Sequence, residues 1–116
     1  MILESLGFDE VNVNCGCPSD KAGAGAFGAI LMHTPDIVAA VCKEMKARVK
    51  KVPITVKCRL GVDDRDSYEE MVHFVKTVSE VGGITKFIIH ARKAFLKGLN
   101  PKQNRTIPPL KYPWVF

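Results

Sequence analysis

Residues 10–19 read Glu10-Val11-Asn12-Val13-Asn14-Cys15-Gly16-Cys17-Pro18-Ser19, a short alternation that runs straight into a tight turn. Val11 and Val13 alternate with Asn12 and Asn14, the period-two pattern of a strand with one apolar and one polar face. The turn after it presents a thiol, Cys17, which is the residue there with chemistry to offer. Two later segments repeat the form. Residues 53–59 set Ile54, Val56 and Cys58 against Thr55, Lys57 and Arg59, and residues 86–92 set Phe87 and Ile89 against Ile88 and His90 before ending on Arg92. All three finish on polar side chains, so a parallel arrangement brings those ends to one rim.

The intervening segments have helical periodicity. Thr34-Pro35 is a start signal, with the threonine placed to cap open backbone N–H groups and the proline at the first helical position. Ile37, Val38, Val41, Cys42, Met45 and Val49 then fall on one stripe. Ser67 with Glu70, or Asp66 with Glu69, forms a capping-box pattern. It precedes a second stripe of Tyr68, Met71, Val72, Val75 and Val78, closed by Gly82-Gly83. Upstream, residues 1–7 read as the end of a helix stopped at Gly7. Residues 21–28 form a small-residue loop that a ligand or another backbone segment can approach closely. Beyond Arg92 the periodicity stops, and residues 93–116 hold four of the seven prolines, the mark of a long loop.

Strand, helix, strand, helix, strand calls for right-handed crossovers and a parallel sheet. Parallel strands covered on both faces normally read as continuous apolar runs. A polar second face on the first two strands instead fits the inside of a barrel, where side chains near the upper rim line a site. No G-x-G-x-x-G follows the first strand, which counts against a Rossmann-type sheet. The expected fold class is therefore α/β, part of a TIM (β/α)8 barrel that supplies about three consecutive parallel β-strands with connecting helices. Three strands cannot close a barrel, so residues 1–116 read as an internal piece of one domain, incomplete at both ends.

The 116 residues are 47% hydrophobic and carry a formal charge of +5, enough apolar content for a modest core and a balance that favours an anionic partner. Lysine and arginine are scattered rather than blocked, so charge alone leaves RNA and a phosphorylated small molecule both open. No apolar run is long enough to span a bilayer, and the N-terminus lacks the regions of a signal peptide. A soluble intracellular protein with its four cysteines reduced is expected.

Neighbouring strands lie about 4.8 Å apart, close enough for Asn14, Cys17, Lys57, Arg59, His90 and Arg92 to converge on one ligand. Taken singly, several have a plainer reading: Cys17 as a small turn residue, Lys57 as a chain reaching for solvent, His90 as a core histidine. Cys15-Gly16-Cys17 is too close for zinc spacing, so no metal is expected. A free thiol, with pKa about 8.5, is mostly protonated at neutral pH, and this residue type suits a general acid as well as a nucleophile. Lys102, Gln103, Asn104 and Arg105 stand in succession, either as a solvated loop or as a surface for phosphate and sugar contact with RNA.

In matching order, Asn12-Val13-Asn14-Cys15-Gly16-Cys17-Pro18-Ser19, Ile54-Thr55-Val56-Lys57-Cys58-Arg59-Leu60-Gly61 and Ile88-Ile89-His90-Ala91-Arg92-Lys93-Ala94 resemble the tRNA-dihydrouridine synthases. The run Leu96-Lys97-Gly98-Leu99-Asn100-Pro101-Lys102, with Asn104-Arg105 and Ile107-Pro108-Pro109-Leu110, is similar to the A-type branch, which acts at positions 20 and 20a of the tRNA D-loop. The resemblance implies an FMN-dependent TIM barrel followed by a helical tRNA-binding domain, with NADPH reducing the flavin. The implied reaction is reduction of uridine to 5,6-dihydrouridine, hydride passing from FMN to C6 and a proton from Cys17 to C5. By the same resemblance Lys57 and His90 are flavin-binding, and Asn14, Lys102, Asn104 and Arg105 meet tRNA. Arg59 is a further substrate candidate, and residues 93–116 form an RNA-facing loop. A cytoplasmic or organellar enzyme with no membrane partner is implied.

Two departures from the family pattern stand out. Cys15 occupies a place where the family commonly has an apolar residue, which puts a second thiol near the first. The loop at residues 22–26 lacks the glutamine and bulkier side chains usual there. The family's opening strand, its later glycine-rich phosphate loops and its helical domain are missing from the 116 residues, so the piece alone is expected to be inactive. Two other readings stay open: another FMN-barrel reductase of a small unsaturated substrate, and a truncated non-catalytic remnant with an RNA-contacting surface.

Overall fold

The computed structural model describes residues 6–18 and 28–116. They form β1 (Val11–Cys15), a 3-10 helix (Gly28–His33), α1 (Pro35–Arg48), β2 (Ile54–Cys58), α2 (Tyr68–Glu80), β3 (Phe87–Ile89) and two 3-10 turns, Gln103–Arg105 and Tyr112–Trp114. The helix expected over residues 1–7 and the small-residue loop over 21–28 fall largely outside the described residues. The sheet order is β1-β2-β3, with both pairings parallel, as the α/β reading requires.

Register decides what shares a face. Asn14 lies beside Lys57, Cys15 beside Cys58, and Lys57 beside Ile88. Because side chains alternate along a strand, Cys15, Ile54, Val56 and Cys58 all point to the helices, where they pack with Val38, Cys42, Phe74, Val78 and Ile84. Asn12, Asn14, Thr55 and Lys57 are left on the opposite face. Low on that face Asn12 Nδ2 donates to Thr55 Oγ1 at 2.9 Å, and the Thr55 hydroxyl donates to Glu10 Oε1 at 2.5 Å. This pairing satisfies a threonine that is only 1% exposed and would otherwise leave a buried hydroxyl without a partner.

The helices differ from expectation in detail. In α1 the buried residues are Pro35, Val38, Ala39 and Cys42, whereas Ile37 and Val41 are 58% and 46% exposed. The rotation follows from close contact with the end of α2: a Cβ on Gly82 would come within 3.2 Å of Ala39, so two small residues meet there. In α2 the buried set is Met71, Phe74 and Val78; Phe74, absent from the expected stripe, is 1% exposed, and Tyr68 and Val72 are largely outside. Thr34 does not cap α1 with its side chain. Its hydroxyl instead donates back to Leu31 O at 3.3 Å. Of the two capping frames ahead of α2, the real one uses Ser67, whose Oγ accepts from Glu70 N at 3.1 Å.

Residues 93–116 are a folded cover rather than an open loop. Asn104 is fully buried; its amide donates to Phe95 O (2.9 Å) and Asn100 O (3.1 Å), and its Oδ1 accepts from Phe95 N (2.7 Å). Asp63 Oδ1 accepts from Leu96 N at 2.9 Å, and Lys93 pairs with Asp66 at 3.0 Å. Further on, Lys111 N donates to Ala91 O at 2.8 Å. Trp114 then packs against the cluster of Leu60, Met71 and Ala91. The segment therefore lies against the C-terminal ends of β2 and β3.

Candidate functional site

Past the C-terminal ends of the strands a cavity of about 440 Å³ opens, lined by Asn14, Cys17, Lys57, Arg59, His90 and Arg105 among others. Among the described residues three cations and no acidic residue line it, so these residues give it a positive wall suited to an anionic or electron-rich ligand. β1 supplies Asn14 and, one turn on, Cys17; β2 supplies Lys57 and, just past its end, Arg59; His90 follows β3 directly. Parallel pairing is what brings residues so distant in sequence to one hollow.

Cys17 is exposed, whereas Cys15, Cys42 and Cys58 are buried, and all four are free thiols. Burial pushes Cys15 up to about 12, with neighbouring Cys42 adding to the effect, and pushes Cys58 up to about 12, with Cys15 adding to it. Cys42 is raised by burial too. These three sit on the helix side of the sheet as small apolar groups, so the thiol at position 15 is not a neighbour that competes with Cys17.

The turn that carries Cys17 is built by Asn14. Its Oδ1 accepts from Gly16 N at 2.9 Å and from Cys17 N at 3.1 Å, an Asx-type closure in which a side chain replaces a backbone acceptor. On the other side Cys17 O accepts from Ala29 N at 2.7 Å. Gly28 has φ 69°, and a Cβ there would stand 2.3 Å from Cys17 O. From sequence Asn14 reads as the polar end of the strand; its closure of the turn and the need for glycine at position 28 are visible only in three dimensions.

Arg59 is 4% exposed, and no carboxylate pairs with it among the described residues. Its Nε donates to Gly16 O at 2.9 Å, and its Nη1 donates to Asn104 O at 2.8 Å and to Lys93 O at 3.3 Å. Burial pulls its pKa down, while nearby Cys17 acts in the opposite direction. His90 is held below the usual imidazole range by burial and then by the cations of Arg59, Arg92 and Lys57, which favours its neutral form. Arg92 turns away from the cavity, with its guanidinium on Thr106 O and Pro108 O.

The basic loop divides into surface and anchor. Lys102 is exposed on it, and Arg105 lines the cavity and reaches Pro101 O at 3.4 Å. Asn104, expected to meet tRNA, is inside the loop with its amide engaged there. Among the described residues no group of three His, Cys, Asp or Glu side chains is placed to hold a metal, and no helix is long and apolar enough to cross a membrane.

A cationic cavity at the C-terminal rim of a parallel sheet, with one accessible thiol in its wall, is the kind of site that α/β-barrel enzymes build. The chain belongs to the dihydrouridine synthase family: the family model described as "Dihydrouridine synthase (Dus)" matches residues 1–116. It is 54% identical over 115 residues to a tRNA-dihydrouridine(20/20a) synthase of Vibrio cholerae, covering 99% of this chain and 35% of that protein. Like-named proteins of Synechocystis sp. (54% identity, 99% of this chain and 34% of the relative) and Escherichia coli strain K12 (53%, 99% and 33%) match over the same length. The chain thus spans about a third of the length of the curated relatives it matches. In a family built on the TIM barrel, β1, β2 and β3 form an arc of that barrel, and the polar face of the sheet is its interior.

Proposed function

We propose that the whole protein reduces uridine to 5,6-dihydrouridine in the D-loop of tRNA, at positions 20 and 20a, as a cytoplasmic FMN enzyme that draws on NADPH. The observation that carries this reading is the single exposed thiol of Cys17 beside a cavity to which the described residues bring three cations and no carboxylate. That donor set fits a flavin mononucleotide, which combines an anionic phosphate with an electron-rich ring edge. Lys57 and His90 would hold it, the ammonium toward the ring and the neutral imidazole toward the phosphate side. Bound there, the reduced flavin supplies the hydride that goes to C6 of the uracil.

The chain's own residues supply the rest. Addition of hydride at C6 leaves enolate-like charge at C5, and Cys17 donates the thiol proton to that carbon; water restores the thiol afterwards. General acid catalysis by a placed group contributes about 10²–10⁴-fold. Asn14 and Arg59 line the same cavity, Asn14 as a contact for the carbonyl groups of the base and Arg59, with Nε and Nη1 already on backbone carbonyls, as a fixed cation in its wall. A uridine can enter only by leaving its stack, and Lys102 and Arg105 would hold the phosphates of the splayed strand. Asn104 serves by fixing the loop from inside.

Replacing Cys17 by Ala in the full-length protein should leave tRNA binding unchanged and lower dihydrouridine formation about 10²-fold or more, read by mass spectrometry of tRNA nucleosides. Turnover equal to the parent protein's would reject the acid role.

A further inference from the structure

We propose that Arg59 is a positioning residue that couples the turn carrying Cys17 to the basic loop carrying Lys102 and Arg105, so that the acid and the RNA-facing surface are set by one buried guanidinium. The assignment rests on the reading of Cys17 and the basic loop given above, but its geometry is independent of any ligand. One end of the guanidinium, Nε, holds Gly16 O beside the thiol; the other end, Nη1, holds Lys93 O and Asn104 O at the two ends of the loop's first half. These partners lie 43, 34 and 45 residues away along the chain.

Three features make this a tie rather than incidental packing. Arg59 is almost fully buried, and a buried cation is costly unless its donors are satisfied; here backbone carbonyls of separate segments accept from Nε and Nη1, so neither segment can shift without stranding donors. The loop end of the tie is stiff, because Asn104 bonds Phe95 and Asn100 from within. The thiol end is stiff as well, since Gly16 and Cys17 are closed onto Asn14 Oδ1. A planar fork with donors on two sides suits two such ends, whereas a lysine ammonium is a single point of donation.

The test is a cycle of variants in the full-length protein, read by amide hydrogen exchange. Asn104→Ala loosens the loop from the far side of the guanidinium. With Arg59 present it should speed exchange in peptides covering Gly16, Cys17 and Ala29 by about threefold or more, without change in α1 or α2. In an Arg59→Gln background Asn104→Ala should add nothing to exchange at those positions. Should Arg59→Gln fail to fold, Arg59→Lys takes its place with the same expectation. In turnover, Arg59→Lys should lower kcat and raise KM for tRNA together, while Arg105→Gln raises KM alone. Exchange around Cys17 that ignores Asn104→Ala, or responds by the same factor in both backgrounds, overturns the coupling. If the parent protein makes no dihydrouridine, the exchange arm still decides the tie, so the two ideas fail separately.

Discussion

A carbonyl is as much a part of the site as the thiol it precedes. Cys17 is fixed through its N–H by Asn14 and through its C=O by Ala29 N, and the second contact exists because Gly28 has no side chain. Gly28→Ala would set a Cβ 2.3 Å from Cys17 O at φ 69°. It should cost about 1–3 kcal/mol in backbone strain and clash, seen as a lower denaturation midpoint of the full-length protein with a parallel fall in turnover; an unchanged midpoint would mean that the turn relaxes freely. That Cys17, Lys57 and His90 share one cavity could be anticipated from sequence because each lies at or just past the end of an alternating run. The tie made by Arg59 could not, since its partners are main-chain groups of residues dozens of positions away, and a main-chain carbonyl leaves no mark in composition.

Among the elements, the two helix starts make a controlled pair. Ser67 accepts a hydrogen bond from the first turn of α2, whereas the Thr34 hydroxyl points back to Leu31. Ser67→Ala should therefore destabilise by about 1 kcal/mol, and Thr34→Ala by clearly less, in urea denaturation of otherwise identical proteins. Equal losses would show that the Thr34 contact matters as much as a true cap. Strand positions were legible because β1 and β2 keep a period of two over five residues, a pattern that the three residues of β3 repeat. The helix faces were less so: apolar side chains flank both stripes, and an alanine such as Ala39, which carries little hydrophobic signal, is the one that meets Gly82. Residues 93–116 lacked any period, and their order comes from a buried amide, Asn104, and an ion pair between Lys93 and Asp66.

For the whole molecule, charge is distributed by function. The formal excess of +5 is not spread evenly where it matters: among the described residues the cavity wall contains Lys57, Arg59 and Arg105 without an acid, and the carboxylates of Asp63 and Asp66 are engaged in holding the basic loop instead. Neutralising Lys102 and Arg105 together should weaken tRNA binding whatever the sequence. It should also reduce the slope of log K against log salt by about 1 for each phosphate that no longer has a cation beside it, measured by filter binding across salt concentrations; an unaltered slope would place the RNA elsewhere. The parallel order of three strands followed from alternation and helical spacers alone. Sequence did not reveal that the segment after β3 folds back over the rim.

The sheet also divides sulfur chemistry into an accessible side and an enclosed one. Three of the four cysteines are sealed between β-strands and α1, and one stands in the open. A spin label or fluorophore attached to these 116 residues would therefore land beside the cavity at a single address, giving a reporter of ligand arrival without rewriting a residue.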